Sequence, residues 1–155
     1  MDFTSGLYHL VLSLKTPQRL DVGSLGRKAF PMGYYVYTGS ARRGLIQRLA
    51  RHLRQEKKCH WHIDALTRVA RVEEIVIDVS GTRTECQRHE LVMQLPGARM
   101  IVPGFGSSDC RCPSHVAYFE QKPSLISQRL DGEPLFRVYT KNQNPRHSRS
   151  QGIPA

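Results

Sequence analysis

The sequence predicts an α/β chain of the α+β kind: a small, mainly antiparallel central sheet flanked by helices. It reads as one domain over residues 1–140, followed by a disordered basic tail at 141–155. Three observations carry this. Leu7 to Leu14 and Tyr34 to Gly39 alternate in residues that suit a pleated surface. From Leu45 the apolar positions Leu45, Ile46, Leu49, Ala50 and Leu53 recur at helical spacing, so the five are expected on one face. A second strand and helix follow, Val72 to Val79 and then Thr84 to about Leu95.

Taken in order, Leu7 to Leu14 is apolar on nearly both faces, the mark of a central strand. Lys15-Thr16-Pro17-Gln18 is a turn, and Leu20 to Gly26 a short strand running into a Gly-punctuated loop. Phe30-Pro31-Met32-Gly33 returns the chain to the tyrosine strand, so the two long strands form an antiparallel hairpin with an extended connection. Gly39-Ser40-Ala41 is expected to break that strand before the basic helix. Trp61 to Val69 is a short second helix. Thr84 is the N-cap of the third, and Pro96-Gly97 stops it. Met100 to Val102 is short and extended, Gly104 to Asp109 is loop, and His115 to Phe119 is extended again. Ser124 to Leu130 is a helical turn or two, and Leu135 to Tyr139 a last strand. Beyond Lys141 nothing is available to bury.

At 155 residues the chain is long enough to bury a core. No apolar run approaches the roughly 20 residues of a membrane span. The acidic start, Met1-Asp2-Phe3, is not that of a signal peptide, and a cytoplasmic protein is the expectation. The net charge is +10; without the tail the body still carries 20 basic and 13 acidic residues, or +7. Arg42 to Lys58 holds seven Lys or Arg against Glu56 alone, which points to a polyanionic partner, nucleic acid first. The competing reading is a solvated helix face. With no secretory signal, the four cysteines are expected as free thiols or metal ligands rather than disulfides.

The order of features is a strand with Gly6-Leu7-Tyr8, a strand with Tyr37-Thr38-Gly39, a helix with Arg48 and His52 one turn apart, another strand, and a helix opened by Glu85. This resembles the GIY-YIG nuclease superfamily. Gly6-Leu7-Tyr8 stands for the first signature and Tyr37-Thr38-Gly39 for the second. Arg48 matches the helix arginine, His52 a polar site position, and Glu85 the metal-binding glutamate. The wording of Gly33 to Ala41, Arg51-His52-Leu53-Arg54, His60 to Asp64 and Gly104 to Cys110 looks like a branch described only as a domain of unknown function. The resemblance implies Mg²⁺- or Mn²⁺-dependent cleavage of DNA, or else of RNA, with Tyr8, Tyr37, Arg48 and His52 catalytic and Glu85 holding the metal. Two features depart from the pattern. The gap between the signatures is unusually long, so a segment around Leu20 to Phe30 loops out, and Glu90 is an alternative to Glu85.

The residues suit that chemistry in their own right. A carboxylate is a hard ligand for Mg²⁺, and a guanidinium presents a planar fork to phosphate. A tyrosine works as a base only if its pKa of about 10 is lowered. Arg42, Arg43, Arg51, Arg54, Lys57 and Lys58 are the candidate nucleic-acid contacts. His60, His62 and Asp64 share a face on a strand, and His60 and Asp64 on a helix; they are expected to support the site from behind. Cys110-Arg111-Cys112 with His115, and Cys59, invites a zinc reading. The one-residue gap is shorter than the usual two to four, so a thiol pair packed under Phe105 is expected instead. Gly104 to Asp109 is able to wrap a phosphate with backbone amides. The main rival to an enzyme is a module on the same fold that grips nucleic acid without cutting it. A second rival is a metal-binding or structural protein.

Overall fold

A computed structural model describes residues 3–125 and 135–141. Of the expected tail, Lys141 is described and pairs with Glu73 at 2.9 Å, whereas residues 142–155 and most of the Ser124–Leu130 helical segment lie outside the described residues. Strand β1 (Gly6–Leu14) has Leu10, Val11 and Leu12 wholly buried, as a strand apolar on both faces requires. It pairs antiparallel with β4 (Gly33–Ala41) on one side and with β5 (Arg71–Asp78) on the other. β6 (Val116–Phe119) flanks β4 and β7 (Phe136–Thr140) flanks β5, giving the antiparallel order β6-β4-β1-β5-β7.

The connection between the signature strands is no formless loop. Its β2 (Gln18–Asp21) and β3 (Arg27–Phe30) pair as a separate two-stranded sheet, and Val22 and Phe30 anchor it in the core. The tyrosine strand also runs through the expected break, because Gly39, Ser40 and Ala41 stay paired with Tyr8, Leu7 and Gly6.

Helices cover both faces. α1 (Leu45–Leu53) and α2 (His62–Thr67) lie over Tyr8, Leu10, Tyr37 and Ile77; α3 (Glu85–Met93) lies on the side of Val11, Val36 and Val76. α3 begins where predicted: Thr84 Oγ1 accepts from the Gln87 amide, and the Gln87 side chain accepts in return from the Thr84 amide. The α1 face is rotated from expectation. Leu45, Leu49 and His52 are buried, whereas Ile46 and Leu53 are exposed at 52% and 38%. The polar His52 wins a core position because it finds a partner there. Among the described residues no helix is long and apolar enough to cross a membrane.

Beneath α3 the sheet carries a polar layer. Arg88, wholly buried, meets Asp78 through Nε and Nη2 at 2.8 and 2.7 Å. His9 Nδ1 lies 2.9 Å from Thr38 Oγ1 across the β1–β4 pair. Burial pushes the imidazole of His9 from 6.5 down to about 3, and those of His52 and His89 down to about 4.

These histidines fold neutral. Their folded values lie below the unfolded 6.5, so their contribution is full above about pH 6.5 and is lost as pH falls toward 4. Each adds a slope of up to about 1.4 kcal/mol per pH unit once the unfolded chain protonates. The melting temperature should therefore decline from about pH 6.5 downward, before carboxylates titrate. A flat profile between pH 7.5 and 5 in a thermal unfolding series would contradict this burial.

Candidate functional site

The site forms where β1 and β4 meet the starts of α1 and α3. Tyr8 stands opposite Gly39 in the register. A Cβ on Gly39 would come within 2.6 Å of the Tyr8 Cζ and hydroxyl, so the Tyr8 ring is able to lie across the strand only because this position is glycine. The ring reaches α1, where its hydroxyl is 2.7 Å from His52 Nε2. Tyr37, on the same face, has its ring centroid 6.3 Å from both Tyr8 and His52. Gly44 opens α1 in the left-handed region at φ 66°, and Arg48 projects one turn later beside His52.

Arg48 and Glu85 converge on one residue. Arg48 Nη1 donates to the Ser40 carbonyl at 2.5 Å, and Ser40 Oγ donates to Glu85 Oε1 at 2.5 Å. Glu85 Oε2 lies 2.7 Å from His115 Nδ1. Burial pushes the Glu85 carboxyl up, but His115, Ser40 and Arg48 outweigh it and hold it below the usual range, hence ionised. Its side chain is 27% exposed, while Glu90 faces solvent outside this network. Beside Ser40 a groove of about 330 Å³ is lined by Gly6, Arg42, Gly81 and Arg83. Sequence reasoning passed over Ser40 and gave His115 only to the cysteines. The one available signal was that Ser40 directly follows the second signature.

The tyrosines behave against expectation. Burial, then the nearby Tyr37, pushes Tyr8 well above its usual value, and Arg48 does not reverse this. Burial likewise raises Tyr37. Neither is poised as a phenolate by itself, and the group facing Tyr8 is His52, lowered by burial to about 4.

The basic residues divide into two groups. Arg42, Arg43, Arg54 and Lys58 are exposed. Arg51 turns back instead: Nη1 and Nη2 donate to Asp64 at 2.8 and 2.9 Å, and Nη2 also to the Lys58 carbonyl. Lys57 Nζ donates to the Arg51 and His52 carbonyls, closing the C-terminus of α1. Desolvation lowers Lys57 to about 8. Asp64 is wholly buried and also accepts from the His60 and Trp61 amides at 2.7 and 2.9 Å. Burial pushes its carboxyl up, yet Arg51 and those amides hold it down. Asp64 therefore locks α2 to α1. Trp61 is half-buried, with the Arg48 and Arg51 guanidinium carbons 4.8 and 4.6 Å from its ring centroid. His62 Nδ1 accepts from the Gly106 amide at 2.9 Å, and exposed His60 meets Trp61 edge to face with ring centroids 5.0 Å apart.

Two expectations about the cysteine loop are corrected. Cys86 and Cys112 form a disulfide, because the first turn of α3 lies against the loop before β6, bringing their Cα atoms to 5.9 Å. Cys59 stands apart, exposed, its Sγ accepting from Arg68. In its place Cys86 joins Cys110, Cys112 and His115, whose ligand atoms all lie within 4.8 Å of one another. The phosphate-cradle reading of Gly104 to Asp109 loses four of its six amide donors: those of Gly104, Phe105, Gly106 and Ser107 all bond within the protein.

The Gly39 cradle gives a direct test. Gly39→Ala should displace Tyr8 from His52 and cost about 1–3 kcal/mol. In a Tyr8→Ala background the same change should cost much less. A double-mutant cycle by denaturant unfolding measures the coupling, and additive effects would place the cost elsewhere.

No curated protein and no solved structure matches the chain. One family model does, over residues 7–132, a span running from the first signature strand past the cysteine loop and β6. With that match covering most of its length, the chain belongs to the family described as Domain of unknown function DUF123.

Proposed function

We propose that this protein is a metal-dependent endonuclease of the GIY-YIG type, acting on DNA before RNA. The observation that carries the reading is convergence. Tyr8, Tyr37, Arg48, His52 and Glu85, spread over 78 positions of the sequence, meet around Ser40 and the Tyr8–His52 contact.

Glu85 is ionised and partly exposed, and each of its oxygens retains a lone pair beyond its present contact, so it suits a hard divalent cation that keeps most of its waters. Bound there, Mg²⁺ or Mn²⁺ would supply Lewis-acid stabilisation of charge on the phosphoryl oxygens. Arg48 is aimed at the same place by Trp61 and the Ser40 carbonyl, and its remaining guanidinium donors suit phosphate oxygens. Tyr8 does not need a lowered pKa of its own. In the tautomer that leaves His52 Nε2 unprotonated, the Tyr8 O–H donates to it, and the hydroxyl would take a proton from an attacking water as it passes its own to His52. Tyr37 meets Phe105 edge to face on the apolar side of the site. The exposed Arg42, Arg43, Arg54 and Lys58 supply the electrostatic footprint.

One observation favours the rival, a nucleic-acid-binding module that does not cut: Tyr8 and Tyr37 are only 2% and 9% exposed. The two readings share the footprint and differ in metal-dependent turnover.

Purified protein with Mg²⁺ or Mn²⁺ should cleave DNA. Glu85→Gln should abolish cleavage while leaving fold and binding intact, and Arg48→Ala should lower the rate by about 100-fold or more. Tyr8→Phe and His52→Ala should each slow turnover, and the double variant should be little worse than either, as expected of residues acting as a unit. Wild type that binds but never cuts would favour the rival. Cleavage indifferent to all these changes would sink the assignment.

Binding should weaken steeply with salt. Arg42→Ala with Arg43→Ala should lower affinity and flatten the salt slope by up to about one unit per lost phosphate contact. An unchanged slope in a titration across salt concentrations would remove this segment from the interface.

A further inference from the structure

The cysteine–histidine cluster has the composition of a structural metal centre rather than of a simple crosslink. Three sulfurs and an imidazole lie within 4.8 Å of one another, and the disulfide occupies only two of them. His115 is the informative member. It is 1% exposed, its amide donates to the Phe105 carbonyl at 2.7 Å, and its carbonyl accepts from Thr38, so the residue is fixed by backbone on both sides. Its Nε2 lies 3.5 Å from Cys86 Sγ and 3.4 Å from Cys110 Sγ, while Nδ1 lies 2.7 Å from Glu85 Oε2. A carboxylate at one ring nitrogen and thiols at the other is the arrangement that presents a neutral imidazole lone pair to a metal.

The surrounding chain needs such a tie. Between Gly104 and Ser114 there is neither strand nor helix, only turns held by backbone bonds, with Cys110 and Arg111 exposed. The spacing that disfavoured zinc counted only Cys110 and Cys112. With Cys86 from α3 and His115 from the start of β6 the set becomes Cys₃His, a composition typical of four-coordinate zinc. Soft thiolates select against Mg²⁺, so this centre is distinct from the cation reading of Glu85.

We propose that, once the Cys86–Cys112 bridge is reduced, Cys86, Cys110, Cys112 and His115 together bind one Zn²⁺, which holds His115 against Glu85. A dithiol reductant supplies two electrons and two protons, cleaving the S–S bond and leaving as its own disulfide. Zinc then displaces three thiol protons and takes the neutral Nε2 of His115, forming three Zn–S bonds and one Zn–N bond. The disulfide is the oxidised, metal-free state of the same four residues. The consequence for catalysis rests on the nuclease reading; the centre itself does not.

The test uses the full chain, reduced and incubated with ZnCl₂, then dialysed. Elemental analysis should find one zinc per chain, and a thiol reagent should then modify Cys59 alone. Cys59→Ser should keep the zinc, whereas Cys110→Ser should lose it. Cobalt substitution of wild type guards against a variant that fails to fold: the absorption of tetrahedral, thiolate-bound Co²⁺ supports the site. Glu85→Gln should weaken zinc by about 10–100-fold in competition with a chromophoric chelator. Stoichiometric zinc supports the site whether or not the protein cuts nucleic acid. Substoichiometric zinc in reduced wild type, iron in its place, four reactive thiols in the zinc-treated protein, or an octahedral cobalt spectrum would overturn it. Zinc affinity unchanged in Glu85→Gln would overturn the link to Glu85.

Discussion

The Tyr8 ring lying across Gly39 is the contact on which the rest of the site depends. It is possible because β1 and β4 pair in one register, Tyr8 opposite Gly39, and because this position has no Cβ. A slip of one residue would send Tyr8 to the α3 face and break its hydrogen bond to His52. That bond contributes only about 1 kcal/mol in itself. Its larger effect is to draw a polar residue of α1 into the core, which sets the helix's rotation and leaves Ile46 and Leu53 in solvent.

Once α1 is turned this way, the placement of its cations follows. Arg48 comes up against Trp61 and the Ser40 carbonyl, while Arg51 faces the buried Asp64. Removing one partner of such a pair costs more than the pair gives in net stability, because the remaining charge is left facing a dry interior. Arg51 and Asp64 are thus structural in effect although they sit in the most basic segment of the chain. The exposed cations of that segment are Arg42, Arg43, Arg54 and Lys58 around them.

On the opposite face α3 reaches the same centre from its N-terminus. The Thr84 cap fixes where the helix starts, and so places Glu85 at its first turn, where the helix dipole also favours a carboxylate. Arg88 one turn on is tied to Asp78, which holds the helix against β5. His115 then links Glu85 to the cysteine loop. Two groups that look separate along the chain, a carboxylate and a thiol cluster, meet at one imidazole.

The sequence by itself determined the elements and their order. Strand alternation, helical spacing and a capping threonine act over a few residues, so β1, β4, α1, β5, α3 and the edge strands were legible without any tertiary contact. The order of Tyr8, Tyr37, Arg48, His52 and Glu85 along these elements was visible through a family resemblance, and the fold brings them near one another. What only the tertiary structure decided depends on contacts between distant segments. The rotation of α1 follows from Tyr8, 44 residues before His52. The withdrawal of Arg51 from solvent follows from Asp64 on another helix. The joining of Cys86 to Cys112 spans 26 residues and needs α3 packed against the loop before β6. Local periodicity reports which residues face a core, but not which partner awaits them there. For polar and ionisable side chains, whose burial depends on finding that partner, the partner decides both position and role.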